Sequence, residues 1–168
     1  LSSLSDRGTT IIPTILAGHD AILKSGTGTG KTLAYLLPLL QKARIDPTFR
    51  CVVMAPSPEL SVQISRVVEA YKSAGVQSVS LVGTGHIERQ KDRLKKHPQI
   101  MVGTPGRILE FIFARKIKSK DISTMVLDEA DHIFSDKNYD DICEICSRPE
   151  FQAQLILASA THTSRTEA

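Results

Sequence analysis

Residues 25–32 read Ser-Gly-Thr-Gly-Thr-Gly-Lys-Thr. A Walker A phosphate loop needs Gly, four residues, then Gly-Lys-Ser/Thr. Gly30, Lys31 and Thr32 supply the second half, and Ser25 stands at the first glycine's position with Gly26 beside it. The small residues Ser25, Gly26, Thr27, Gly28, Thr29 and Gly30 let the backbone curl until its N–H groups converge on a phosphate. A helix starting there adds positive potential. Lys31 can reach the terminal phosphates, and the Thr32 hydroxyl can ligate Mg²⁺. The competing reading is a Gly/Thr turn that binds nothing. Further along stands Asp128-Glu129-Ala130-Asp131, behind the apolar run Met125-Val126-Leu127. A carboxylate at the end of a buried strand is costly unless something compensates it. A Mg²⁺ ion on a bound nucleotide would do so at Asp128, and Glu129 would then polarise the water that attacks the γ-phosphate. The alternative is an acidic helix start.

Two more clusters follow apolar runs. Thr104-Pro105-Gly106-Arg107 combines a small hydroxyl, a fixed φ, an unhindered backbone and an Arg, a set able to hold one nucleic-acid phosphate. By itself it reads as a turn with a helix-starting proline. Ser159-Ala160-Thr161 offers two hydroxyls that can bond the Asp131 carboxylate and so couple the nucleotide site to the rest of the domain. Alone, that tripeptide carries no weight.

The elements that must position these groups follow from periodicity. Strands are expected at 20–25, 51–56, 79–83, 99–104, 123–131 (running into the acidic turn) and 154–161. Helices are expected at 31–43, 58–75, 87–97, 105–116 and 138–148, with Pro38 loosening the first and Gly75 stopping the second. About six alternations of strand and helix predict an α/β three-layer sandwich, a mostly parallel sheet with helices on both faces. Such sheets bind ligands at the carboxyl ends of their strands, where all four clusters fall.

The chain of 168 residues is the size of one domain, and 41% of it is apolar, enough for a sizeable core. No apolar run approaches the ~20 residues of a membrane span, and no signal-peptide pattern opens the chain. Three cysteines suit a reducing compartment rather than a disulfide scaffold. An intracellular, monomeric domain without a membrane partner is expected. Charge is uneven: residues 86–120 hold ten Lys and Arg against three acids, about +7, whereas the stretch from Asp121 onward is about −7. A basic segment suggests a polyanion partner; solvated helix faces are the alternative.

In this order and spacing, GTGTGKT, TPGR, DEAD and SAT resemble the first RecA-like domain of the DEAD-box RNA helicases. The likeness runs from about Ile12 to Thr161, and IPTILAGHDAI is similar to that family's approach to its first strand. The resemblance implies the ATP-binding domain of an ATP-dependent RNA helicase, coupling ATP binding and hydrolysis to RNA binding and duplex unwinding or remodelling. ATP and Mg²⁺ are the implied cofactors. RNA, gripped by its backbone without regard to sequence, and a second RecA-like domain of the full-length protein are the implied partners. By motif match Lys31, Thr32, Asp128 and Glu129 are the catalytic set, Thr32 and Asp128 hold the metal, and Asp131, Ser159 and Thr161 form the coupling network. Pro56, Glu59, Gly83, Thr104, Pro105, Gly106 and Arg107 fall where the family grips RNA.

The sequence also departs from the family pattern. Ser25-Gly26 replaces Ala-Gln/Glu, Pro58 stands where an RNA-contacting Arg is usual, and Gly83-Thr84-Gly85 replaces Gly-Gly. Gly8 holds the adenine-reading Gln position, and Leu4-Ser5 stands for Pro-Thr. Residues 1–10 therefore read as a divergent or truncated N-terminal segment, and 11–168 as the RecA-like domain. With no second domain in this chain, the isolated domain is expected to be weakly active. Two other readings compete: a nucleic-acid motor of the wider superfamily, and a non-catalytic helicase-like scaffold that binds nucleotide or RNA. Cys143-x-x-Cys146 lies in an expected helix without a second Cys pair, which favours buried or half-buried free thiols over a zinc or redox site.

Overall fold

The computed structural model describes residues 11–24, 28–82, 86–134 and 137–160. Six strands, β1 (Ala21–Lys24), β2 (Cys51–Met54), β3 (Ser78–Leu81), β4 (Ile100–Gly103), β5 (Thr124–Asp128) and β6 (Gln154–Ser159), form one sheet in the order β1-β6-β5-β2-β4-β3. Every pairing is parallel. The expected three-layer architecture is therefore present, and all six strands end at one rim.

The central strands β2, β4 and β5 are buried along their whole length. Side chains that are apolar except at Thr124 and Asp128 suit strands covered on both faces, and the pleat sorts them by parity. Cys51, Val53, Val102 and Val126 join one core with Tyr35, Leu36, Leu39, Ile64 and Val68. Val52, Met54, Met101, Met125 and Leu127 join another with Ile108, Ile112, Ile133, Ile142 and Ile145. The first core is covered by α1 (residues 11–16), α2 (Gly28–Ile45) and α3 (Pro58–Tyr71). The second is covered by α4 (Ile87–Leu94), α5 (Pro105–Phe113), α6 (Ala130–Ile133) and α7 (Lys137–Cys146).

Several boundaries differ from the sequence expectations. Residues 11–16, read as the approach to a strand, are helical, and Ile15 is fully buried. α2 begins at Gly28 rather than Lys31 and runs unbroken through Pro38. Burial of Tyr35, Leu36, Leu39 and Leu40 against the sheet offsets the hydrogen bond that the proline cannot donate. α3 stops at Tyr71, short of Gly75, because Lys72 is extended and its N–H bonds Val68 O. α4 ends at Leu94 and α5 at Phe113, short of 97 and 116, and left-handed His97 (φ 52°) and Arg115 (φ 58°) follow in the turns beyond them. The expected strand 123–131 stops at Asp128 and turns into the short α6. Polar staples fix the opposite rim. Gln154 Nε2 donates to Ile15 O (3.1 Å) and His19 O (2.7 Å), and Gln99 Nε2 donates to Ala43 O and Asp46 O at the end of α2.

The thiols correct one expectation. All three cysteines are free, but Cys143 and Cys146 are exposed on α7, and only Cys51 is buried. No group of three His, Cys, Asp or Glu able to hold a metal occurs among the described residues. Among those residues no helix is long and apolar enough to cross a membrane. Burial pushes the Cys51 thiol up to about 12. Iodoacetamide at pH 8 should therefore alkylate Cys143 and Cys146 in the native protein and reach Cys51 only after unfolding, as peptide mass mapping would read.

Gly103 is required by packing. It pairs with Leu81, and a Cβ there would lie 2.8 Å from Leu81 O and 3.3 Å from Ile108 Cδ1. Gly103→Ala should destabilise the protein by about 1–3 kcal/mol in urea denaturation through overpacking.

Candidate nucleotide and nucleic-acid site

Strand parity aims Asp128. It shares a face with Val126, whose side chain packs in the core that contains Tyr35 of α2. Thr32 and Tyr35 are three residues apart on α2, so both point at the same spot. Tyr35 Oη donates to Asp128 Oδ2 at 2.5 Å, and Thr32 Oγ1 lies 3.5 Å from the same oxygen. Lys31 Nζ is 3.8 Å from Asp128 Oδ1. That oxygen also accepts the Glu129 N–H at 2.8 Å. Lys31 is 5% exposed and Asp128 2%, so this is an ion pair almost wholly removed from water. The structure thus brings Lys31, Thr32, Asp128 and Glu129 together from two distant parts of the chain.

A buried pair of this kind adds little to stability, because desolvation consumes most of the Coulomb gain. Its arrangement suits a ligand better. α2 has no acidic residue in its first turn and carries Lys42 and Arg44 in its last. Its amino end therefore keeps its positive potential for an anion. A cavity of about 220 Å³ opens beside it, lined by Lys31, Thr32, Asp128 and Glu129 and closed by Leu60, Gln63, Ile64 and Val67 of α3. One hydroxyl and one carboxylate facing this cavity fit Mg²⁺, which takes few protein oxygens and keeps water and phosphate in its other positions.

Glu129 settles whether the acidic cluster is a mere helix cap. It stands at the N-cap of α6 with left-handed backbone (φ 48°), and its side chain makes no capping hydrogen bond. A non-glycine residue held there is strained. The carboxylate is half-buried and lines the cavity rather than serving the helix.

The remaining expected residues divide. Ser25, Gly26, Thr27, Gly83 and Thr161 lie outside the described residues, as do positions 1–10; Gly28 and Thr29 form the backbone of the first turn of α2, and Gly30 is exposed. Ser159 is buried at the end of β6, beside β5. No hydrogen bond joins it to Asp131 among the described residues; the Asp131 carboxylate lies 3.9 Å from His132 Nε2. Pro56 is half-buried just beyond β2, and Glu59 is exposed in the first turn of α3. Pro58 begins α3, where Ser57 Oγ accepts the Leu60 N–H at 3.3 Å. Thr104 precedes α5 and makes no capping bond, Pro105 is buried, and Arg107 lies 3.4 Å from Glu110. The nucleotide candidates sit at the ends of β1 and β5. Pro56 and the Thr104–Arg107 turn sit at the ends of β2 and β4, on the other half of the same rim.

Tyr35 was not singled out by sequence, because an aromatic in an apolar helix reads as core. Gln63, which lines the cavity, was missed because an exposed glutamine on an amphipathic helix reads as solvated surface. The signal available for Tyr35 was its i+3 spacing from Thr32. Burial, and then the Asp128 carboxylate, hold its hydroxyl well above the ordinary tyrosine value, so it remains a proton donor.

An open parallel sheet with a lysine-bearing helix start after β1 and a buried carboxylate after β5 defines a RecA-like P-loop nucleotide-binding domain. The sequence profile of the DEAD/DEAH box helicases matches residues 8–168, and the chain belongs to that family. It is 44% identical over 160 residues to the DEAD-box ATP-dependent RNA helicase CshC of Bacillus cereus, a match covering 93% of this chain and 41% of the relative. It is 40% identical to the probable ATP-dependent RNA helicase YfmL of Bacillus subtilis, over 91% of this chain and 41% of that one. Among solved structures, the DEAD box protein from Methanococcus jannaschii superposes with a TM-score of 0.79 at 28% identity, over 94% of this chain and 44% of that one. The DEAD-box helicase Mss116 bound to ssRNA and UDP-BeF gives 0.80 at 28%, over 96% and 36%. The chain spans about 41% of the length of the two curated relatives.

Removing the Tyr35 hydroxyl withdraws a donor from a buried carboxylate. Tyr35→Phe should lower the unfolding free energy of the nucleotide-free chain by about 1.5–3 kcal/mol, measured by urea denaturation.

Proposed function

We propose that this chain is the ATP-binding domain of a DEAD-box RNA helicase, in which ATP binding and hydrolysis drive RNA binding and remodelling. The observation that carries the reading is the buried approach of Lys31 to Asp128, 3.8 Å apart, beside a helix start that has no acidic residue in its first turn. Family membership and the names of the relatives support ATP as the nucleotide and RNA as the partner.

In this reading the amino end of α2 and Lys31 bind the phosphates. Thr32 and Asp128 would hold Mg²⁺, which when bound supplies neutralisation of the developing phosphate charge. Tyr35 keeps the Asp128 carboxylate oriented. Glu129 orients and deprotonates the attacking water. The turn at Thr104–Arg107 and the residues after β2 hold RNA phosphates on the neighbouring half of the rim, consistent with backbone contacts that ignore sequence. A second RecA-like domain of the full-length protein would complete both sites. An arginine supplied in this way raises phosphoryl-transfer rates by about 10³–10⁵, so the isolated domain should turn over weakly.

The test is a pair of variants of the full-length protein. Lys31→Ala should weaken Mg²⁺·ATP binding, read with a fluorescent ATP analogue. Glu129→Gln should retain binding while RNA-stimulated hydrolysis falls by about 10²–10⁴. Binding without RNA-stimulated hydrolysis in the unaltered full-length protein would favour the scaffold alternative. On the RNA half, Arg107→Ala should weaken binding of different RNA sequences alike and reduce the salt slope by about 1.

A further inference from the structure

A second cavity, of about 280 Å³, opens at the opposite rim, where the strands begin. Its floor is aliphatic: Leu94, Met101, Ile117 and Ile122 are each 3–5% exposed. Its walls are basic, formed by Lys95, His97, Arg115, Lys116 and Lys118, with Arg50 beside them and Asp121 as the one carboxylate in the lining. Arg50 is already fixed, since its Nη1 donates to Pro47 O (2.7 Å) and Phe49 O (2.9 Å). Lys95 has an exposed partner in Asp92 at 3.5 Å, whereas Arg115, Lys116 and Lys118 enter no ion pair among the described residues.

Basic residues after a helix complement its dipole, and α4 and α5 both end here. That accounts for one cation at each end, not for the local density. It also does not explain His97 and Arg115, which occupy left-handed positions where glycine is the residue of least cost. A third cavity of about 240 Å³ shares Arg115, Ile117 and Lys118 and continues past Lys120 to Arg148, which Glu150 pairs at 3.3 Å. The surface is therefore a track rather than a single anion pocket.

We propose that this groove docks a short acidic segment of a partner protein, with an aliphatic side chain anchored on the floor and carboxylates along the basic walls. Charge complementarity selects the acidic chain, and the narrow apolar floor suits a side-chain anchor. Single-stranded RNA fits less well: no Phe, Tyr or Trp lines either cavity to stack a base, the His97 imidazole being the one aromatic ring in the two linings, and the groove lies on the rim away from Thr104–Arg107.

The test uses the full-length protein and fluorescein-labelled octapeptide pools, with six positions Asp or Glu and two positions Leu, Ile or Met. A second pool carries Ser at those two positions, and a labelled U12 RNA serves as the third probe. Saturable micromolar binding of the first pool by fluorescence anisotropy is expected. It should weaken at least tenfold for the Ser pool and for the double variant Lys116→Glu/Lys118→Glu. Lys96→Glu, an exposed neighbour outside the groove, should leave it unchanged. Absence of saturable peptide binding would overturn the proposal. So would an equal loss with Lys96→Glu, or a dependence on Lys116 and Lys118 shown by U12 but not by the peptides. Should the double variant misfold by circular dichroism, the comparison of the two pools on the unaltered protein still decides, with equal affinities overturning the anchor.

Discussion

The Asp128 carboxylate is the constraint around which this domain is built. It ends a strand that is apolar and fully buried, in a place where an isolated negative charge would be strongly disfavoured. The fold answers with a tyrosine hydroxyl, a lysine, a threonine hydroxyl and one backbone N–H, each from a defined position. None of the side-chain partners is local in sequence; all three come from α2. The amino end of α2 and the carboxyl end of β5 are thereby locked together. Packing against the shared core, rather than the ion pair, carries the stability, and the polar cluster fixes geometry.

The parallel sheet explains why candidate binding residues so far apart in sequence share one rim. Every strand runs the same way, so every strand-to-helix turn opens on the same side. The order β1-β6-β5-β2-β4-β3 then divides that rim. Its β1–β5 half carries the lysine, hydroxyl and carboxylates suited to phosphate chemistry, and its β2–β4 half carries the turn suited to a polymer backbone. The two halves meet where β5 pairs with β2. The acidic turn after β5 therefore lies beside the residues that follow β2 and one intervening strand from the Thr104–Arg107 turn, a short path for coupling the two halves.

Much of this was legible in the sequence. The strands reveal themselves as short β-branched runs, and β2, β4 and the middle of β5 are apolar because both of their faces are covered. The phosphate loop, the acidic turn and the Thr104–Arg107 turn each fall directly after such a run. What stayed hidden has physical causes. Residues 11–16 make fewer than two helical turns, too few for the apolar period to repeat. Pro38 reads as a breaker, since local propensity does not include the sheet that holds α2 together. The thiols of Cys143 and Cys146 read as buried or half-buried because a short amphipathic helix does not announce which face meets α5. Tyr35 reads as core, and it is core, but its hydroxyl sits against a charge that only the fold brings near.

The sequence by itself determined the alternation of elements, the parallel class of the sheet and the chemical types available at each strand end, because periodicity and turn residues act over a few neighbours. The tertiary structure decided which of those ends lie side by side, which oxygen of Asp128 each partner meets, and that Glu129 keeps its carboxylate for the cavity instead of capping a helix. It also decided that the basic residues after α4 and α5 gather around one apolar floor. Those outcomes depend on strand order and packing between distant segments, and spacing along a chain encodes neither.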